Sequence, residues 1–419
     1  MKIDKLSLEN FRGIEKLTVN FDPEITVIVG RNGVGKSSIL DATSEMLKAA
    51  LYGWRTEDFE PRDPALSIPN KDRRYKDKNT IVSLELNWEG ARLQEHFPRT
   101  IIANSQYSTF TSNPEYMKYW AVAAAGGLVH IERPLVVYYR QDRGFEDKNH
   151  IHKEPVDLTT TIVSSLEGQL KAISHLESWW DKRDAQEART VRDKDRNHKD
   201  QQLEAIRKLI MEIDGFRGIT YESTKSPEGL YFHKDDGAWV HVSMLSSGER
   251  SFIILLADLA RRLQMMKADA LLADIPGIVL IDEVELNLHP AWQSKIIVTL
   301  RKIFKRCQFL ITTHSPQVIS SVEGVHVRVL EKAEDGILSL KSPIKTKGQT
   351  SNYLLEGVFG AHERFPETDK LIDDFNDAID SRNKELASSL LEKISEQTEG
   401  GSPELLLFKK RLKQLGEQS

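Results

Sequence analysis

Three features of the sequence predict an α/β fold. The runs "ITVIVG" (25–30), "GIVLI" (277–281) and "CQFLITTH" (307–314) are apolar and rich in β-branched residues. That composition suits strands buried on both faces of a parallel sheet. Each run ends in glycine, carboxylates or histidine, side chains that a core does not need. The first run also passes through a glycine-rich turn into "ILDATSEMLKAALYG", which continues with helical periodicity.

Composition narrows the setting of that fold. The chain has 419 residues, 39% hydrophobic and 29% charged, enough for one large domain with attachments or for two domains. No apolar stretch approaches the roughly 20 residues of a membrane span. The opening "MKIDKLSLENFRGIEKL" alternates like an amphipathic strand and lacks a signal peptide's continuous apolar segment. The single cysteine, Cys307, excludes an internal disulfide framework and fits a cytoplasmic setting; placed before an apolar strand, it reads as a packing thiol. A net charge of −5 gives no global footprint for nucleic acid, leaving only a local basic stripe open.

The turn after the first strand carries chemistry. Gly30, Arg31, Asn32, Gly33, Val34, Gly35, Lys36 and Ser37, followed by Ser38, satisfy G-x-x-x-x-G-K-[ST] between a strand and a helix. Glycines let consecutive backbone N–H groups turn inward around phosphate oxygens, and the helix N-terminus adds its dipole. Lys36 is expected to reach the β- and γ-phosphates of ATP, and Ser37 to ligate Mg²⁺. Such a loop needs an acidic partner on a neighbouring strand. Asp282, ending "GIVLI", fits as the group that holds Mg²⁺, and Glu283 fits as the base that polarises the attacking water.

Two further pieces follow in order. "LSSGE" (245–249) opens an amphipathic helix, with Ser246, Ser247, Gly248 and Glu249 placed to hold a γ-phosphate at a helix N-terminus; a serine-capped helix start is the plainer reading of those residues alone. His314 ends the third apolar run, where a phosphate-sensing histidine would stand.

In that order these motifs resemble the ABC-type ATPases. With "LENFRGIEKLTVNF" at the start and "IDEVELNLHP" (281–290), the chain resembles the OLD, RecF and SMC-related branch. Within it, the resemblance is to stand-alone ATPases of bacterial anti-phage systems, Septu-type and retron-associated. The resemblance implies an ABC-type P-loop head with an N-terminal β lobe, a short helical insertion and a helical tail. It also implies homodimers or higher homo-oligomers around ATP, and control of a separate effector, a nuclease. Arg12 of "NFRG" is expected near the phosphates, and Gln141 after "PLVVYY" as the metal-sensing glutamine. Glu285 and His289 are assigned to the loop that communicates across a dimer, since no second histidine stands at helical spacing for a zinc site. The alternative is a RecF-like ATPase that binds DNA directly in repair.

The boundaries expected are 1–156 and 215–345 for the two parts of the head, 157–214 for the insertion and 346–419 for the tail. The insertion reads as two helices of about 25 residues, an arm of ~40 Å at 1.5 Å per residue, with Trp179 and Trp180 packing its base. "KDRRYK" (71–76) is solvated loop charge or a contact for a phosphate backbone, and "HIH" (150–152) has no companion ligands. Beyond 345, "SNYLLEGVFGAHERFP" and "PELLLFKKRLKQLG" read as short helices whose apolar positions pack on the core, a second copy or a partner. No nuclease constellation is legible in the sequence.

Overall fold

The computed structural model describes residues 1–52, 72, 74, 79–87, 97–103, 108–111, 134–141, 172–333, 337–342, 345–360, 366–398 and 404–417. The chain divides into two compact units, Met1–Ser351 and Asn352–Ser419.

The first unit is built on three sheets. A lobe of antiparallel strands begins with β1 (Lys2–Phe11) and β2 (Ile14–Asn20), and continues with β4 (Thr80–Asn87), β5 (Phe97–Ala103) and β6 (Ser108–Thr111), in the order β2-β1-β4-β5-β6. Burial alternates along β4, as a strand with one covered face requires. The central sheet has β3 (Ile25–Val29), β7 (Leu135–Tyr139), β11 (Gly277–Ile281), β12 (Cys307–Thr313), β13 (Val327–Lys332) and β14 (Leu338–Lys341), in the order β14-β13-β3-β12-β11-β7. All pairs among β13, β3, β12, β11 and β7 are parallel, and β14 closes the edge antiparallel. Every residue of β3, β7, β11 and β12 is buried, which accounts for their uninterrupted apolar sequence.

Helix α1 (Lys36–Tyr52) lies between these two sheets, and one apolar cluster joins Leu6 and Leu8 of β1 through Ile39 and Leu40 to Leu280 and Leu310. Buried Gln308 adds a polar link. Its amide donates to Ile3 O (2.7 Å) and Asp22 O (2.9 Å), while its oxygen accepts from Ile3 N (2.7 Å). All of its bonds therefore run from β12 to the N-terminal lobe or to the turn that precedes β3.

The insertion is shorter than its sequence suggests. Helix α2 (Ala172–Asp193) has 22 residues but α3 (Gln201–Met211) only 11, so the second limb is about 16 Å rather than ~40 Å long. Asp200 sets the late start of α3 as its N-cap. Its carboxylate caps α3 at the N–H groups of Gln202 and Leu203 and also accepts from Arg183 at 3.1 and 2.7 Å. Trp179 and Trp180 are buried at the base, as expected. Residues 157–171 lie outside the described residues, as does "HIH".

A three-stranded sheet, β8 (Phe216–Glu222), β9 (Gly229–Lys234) and β10 (Trp239–His241), leads into α4 (Ser247–Met266), and α2 and α3 pack on α4. Helices α5 (Pro290–Ile303) and α6 (Pro316–Ile319) follow β11 and β12. In the second unit, α7 (Ser351–Phe359) buries Leu354, Val358 and Phe359. After it, α8 (Pro366–Asp380), α9 (Lys384–Gln397) and α10 (Leu405–Glu417) share a core that includes Phe375, Leu390, Ile394 and Phe408. The "LLLF" run thus splits: Leu405 and Phe408 enter that core, whereas Leu406 and Leu407 are 74% and 61% exposed.

Candidate nucleotide site

The parallel order puts the ends of β3, β12 and β11 side by side, and with them every motif read from the first half of the site. β3 enters the loop at Gly30 with φ 153°, where a Cβ would collide with the backbone carbonyl of Leu330 on β13. Lys36, the first residue of α1, is 5% exposed. Its ammonium donates to the carbonyls of Gly30 (2.9 Å) and Arg31 (3.0 Å) and lies 3.4 Å from His314 Nδ1. An ammonium only donates, so Nδ1 is the acceptor and the imidazole proton sits on Nε2. That nitrogen is 3.6 Å from Glu283 Oε1.

Burial lowers the pKa of Lys36, opposed by the charges of Glu283, Asp282 and Glu285. Burial and then the Lys36 charge lower His314. His314, held toward its neutral form, therefore faces the Glu283 carboxylate.

Asp282 Oδ1 accepts from Ser37 Oγ (3.1 Å) and Thr312 Oγ1 (2.5 Å). The same Thr312 oxygen accepts the backbone N–H of Glu283 at 2.8 Å. Glu283 itself has φ 47°, a left-handed conformation that strains a side chain with a Cβ by roughly 1–2 kcal/mol. The turn swings its carboxylate off the line of β11, where Gln141 Nε2 donates to Oε2 at 2.9 Å. The glutamine read from a weakly diagnostic stretch is thus beside the expected base.

Glu285 makes a contact beyond its expectation. Its Oε1 accepts the backbone N–H of His314, and its Oε2 is buried without a hydrogen-bond partner among the described residues. Two successive turns, with Leu286 N bonded to Glu283 O and Leu288 N to Glu285 O, curl the segment back toward β12. Glu285 therefore also touches the site, through His314 N. His289 faces outward and caps α5, its Nδ1 accepting from Ala291 N at 3.3 Å. The three carboxylates after β11 all act on Lys36, the cation that a cluster of this kind requires.

The donor set fits Mg²⁺. Ser37 and Asp282, 3.1 Å apart, supply oxygen atoms alone, which a hard divalent cation prefers. No group of three His, Cys, Asp or Glu side chains could hold a metal among the described residues. Bound Mg²⁺ would therefore rely on one or two protein oxygens, water and phosphate, its usual pattern.

Arg12 lies beside the loop but is engaged. Its guanidinium donates to Asp72 (2.7 Å) and Asp41 (2.6 Å) and approaches Ser38 Oγ (3.5 Å). Asp41 also accepts from Tyr138 OH (3.0 Å) and Arg140 Nη2 (2.9 Å). Arg74 of the basic "KDRRYK" loop likewise turns inward, donating to Gly13 O at 3.1 Å.

The signature is a separate region. Ser246 caps α4 in a reciprocal box with Glu249, whose Oε2 accepts from Ser246 N (3.1 Å) and Oγ (2.9 Å). Glu249 Oε1 accepts from Lys234 at 2.8 Å, so both of its oxygens hold the helix start. Gly248 packs on the segment after Glu285: a Cβ there would lie 3.1 Å from both Asn287 O and His289 N. Ser246 and Ser247 are exposed and form no hydrogen bond to the phosphate loop among the described residues.

Thr312, Asp41 and Glu285 were not singled out as site residues by sequence. The run "ITTH" offered a signal for the first, since hydroxyls in a fully buried strand must find polar partners.

Comparison with known proteins agrees with this fold. The AAA domain family matches residues 5–214, and a second family described as "AAA domain, putative AbiEii toxin, Type IV TA system" matches residues 133–320. The Retron Ec83 probable ATPase of Escherichia coli is 25% identical over 90% of this chain and 80% of its own length. The Septu protein PtuA of Bacillus thuringiensis is 24% identical over 99% and 98%. In fold, the Smc head bound to the C-winged helix domain of ScpA matches with a TM-score of 0.50 at 17% identity, covering 82% of this chain and 98% of that one. The chain belongs to the AAA domain family and is an ABC-type P-loop ATPase of the RecF- and SMC-related branch.

Proposed function

We propose that two copies of the chain close around two ATP molecules and that this ATP-dependent state controls a separate effector, a nuclease, in anti-phage defence. The observation that carries the reading is the division of the site. Everything that touches phosphate-loop chemistry (Lys36, Ser37, Asp282, Glu283, His314 and Gln141) converges within one copy. Ser246 and Ser247 instead lie exposed at a helix N-terminus, suited to the γ-phosphate held by another copy. The retron and Septu relatives, matched over most of their length, support the defence setting.

In this mechanism Lys36 leaves the carbonyls of Gly30 and Arg31 for the β- and γ-phosphate oxygens. Glu283 accepts a proton from water as the water oxygen attacks the γ-phosphorus and the bond to the β-phosphate oxygen breaks. Gln141 and Thr312 hold Glu283 in place, and His314 donates from Nε2 to a γ-phosphate oxygen. Ser37 and Asp282 would hold Mg²⁺, which would supply positive charge for the phosphate oxygens.

The test uses two inactive proteins. Lys36→Ala removes the phosphate charge and Ser247→Arg blocks the signature. Mixed, they form dimers with one intact composite site, and hydrolysis should recover to about half of the normal rate per dimer in the simplest case of independent sites. No recovery in mixed dimers verified by mass would defeat the composite site. Co-purification with the products of the neighbouring genes, assayed for nuclease activity, tests the effector arm separately.

A further inference from the structure

We propose that the C-terminal bundle is a self-association surface, with α10 of one copy seated against α8 of a second copy and the reverse. This contact lies outside the nucleotide site and needs no ATP.

The bundle satisfies its core within one chain, leaving two stripes. On α8, Asp373, Asp377 and Asp380 recur at spacings of four and three, so they share a face, with Asp374 beside them; all four are exposed. On α10, Lys409 and Lys410 are exposed beside the two exposed leucines, Leu406 and Leu407. Leu406 and Lys410 stand four apart, so an apolar and a cationic group share one surface, while Arg411 donates to Asn376 of α8 in the same chain at 2.7 Å. None of Asp373, Asp374, Asp377, Asp380, Lys409 or Lys410 forms an ion pair among the described residues.

Segregation of charge by helix is the deciding feature. A face that only needs solubility mixes both signs. Here α8 is acidic except for Lys370, and α10 is basic until Glu417. The complement to a cationic face with two bare leucines exists on the same chain, which selects a second copy as the occupant. A two-fold pairing uses each complement twice, because in such an interface residue i meets j and j meets i. Two seams of opposite charge would then flank leucines near the axis, where they leave water.

The test measures the mass of the full-length protein without nucleotide, by sedimentation at micromolar concentrations. The wild-type chain should dimerise. The pair Lys409→Glu with Lys410→Glu and the pair Asp373→Lys with Asp377→Lys should each weaken the dimer by tenfold or more. Each homodimer then opposes like charges on both seams. An equal mixture of the two proteins should regain the wild-type mass, because one seam is restored by the swap and the other was never changed. Leu406→Glu with Leu407→Glu should weaken the dimer without changing the melting temperature.

A nucleotide-free wild-type chain that stays monomeric overturns the proposal. So does a mixture of charge-reversed proteins that remains monomeric while each is folded by circular dichroism. Binding of a labelled oligonucleotide that needs Lys409 and Lys410, with no loss of self-association in their variants, assigns the cationic face to nucleic acid instead. None of these results bears on the Lys36→Ala and Ser247→Arg mixture, which reads hydrolysis.

Discussion

On α4, Asp258 accepts from Arg261 (2.6 and 3.2 Å) and Arg262 (2.7 Å), and all three side chains are 0–1% exposed. On α8 and α10 the opposite arrangement holds: acids and cations occupy different helices and face solvent. Charge within a buried helix must close on itself, because an unpaired ion there forfeits its hydration with nothing in return. Charge on the bundle pays no such penalty and is available to a neighbour. The first pattern fixes geometry inside a chain, and the second invites contact between chains.

What the α4 cluster fixes can be traced. Tyr139 OH, at the end of β7, donates to Asp258 at 3.0 Å, and Tyr139 O accepts the N–H of Asp282 at 2.8 Å. The helix that begins at the signature is thereby tied to the strand that leads to Gln141 and to the turn that carries Glu283. The Arg262 and Arg261 charges hold the Asp258 carboxyl well below the usual carboxylate range, against the effect of burial. The hydroxyl of Tyr139 is driven upward by that burial and by the Asp258 charge, so it stays a donor.

The largest effect should come from opening this cluster. Asp258→Ala leaves two buried guanidiniums facing each other and is expected to cost about 3–5 kcal/mol of stability. Denaturant unfolding of the variant and the wild type measures it. A loss below 1 kcal/mol would mean that the cluster is hydrated in solution and that the contrast with the bundle is false. Tyr139→Phe should cost only ~1 kcal/mol, since it removes a neutral donor and leaves both arginines on Asp258.

Next comes the neutral support of a buried carboxylate. Thr312→Val keeps the shape of the side chain but strips a donor from Asp282 and an acceptor from Glu283 N. Leaving those groups short of partners should cost about 1–3 kcal/mol. Hydrolysis should fall more than ATP binding does, because Glu283 loses the bond that holds its left-handed turn. Calorimetric titration with ATP beside steady-state hydrolysis separates the two. Equal losses in both would place Thr312 in nucleotide binding rather than in the positioning of Glu283.

The legible parts of the molecule were those where a short stretch contains its own explanation. The phosphate loop, Asp282, Glu283 and His314 each follow an apolar strand directly, and Gln141 could be placed by the same logic. Partners that meet only in the fold were harder. Asp41 gathers Arg12, Tyr138 and Arg140 from three elements, a convergence that no spacing encodes. The α4 cluster did leave a trace. The helix read as amphipathic is in fact buried from Ser251 to Gln264, and only the i+3 and i+4 spacing of Arg261 and Arg262 from Asp258 hinted that these charges pair. Helix length failed between Asp193 and Asp200, where the first helix stops and a capping carboxylate starts the second later than periodicity alone suggests. The contact of Glu285 with His314 N was not legible, because the two turns that bring it there depend on backbone bonds rather than on side-chain pattern.

The smallest effect separates pairing from burial as the cause of the contrast. Glu323 is paired like Asp258 but its side chain is 41% exposed: Lys347 lies 2.5 Å from Oε1 and Arg301 3.4 Å from Oε2. The Lys347 hydrogen bond pulls its carboxyl down to about 2. A carboxylate depressed in the folded state adds stability above its unfolded value, near 4.3, and loses it as pH falls through the folded value. Solvent screening limits the size. An exposed pair of this kind contributes roughly 0–1 kcal/mol, and added salt reduces it. Glu323→Gln should therefore lower stability by at most about 1 kcal/mol at pH 7. The difference from wild type should shrink as the pH drops from about 4 toward 2, and at neutral pH it should fade in molar salt. Melting curves of both proteins across pH and salt read this directly. If Glu323→Gln instead costs as much as Asp258→Ala, pairing alone would set the energy of these contacts. Burial would then lose its place in the comparison.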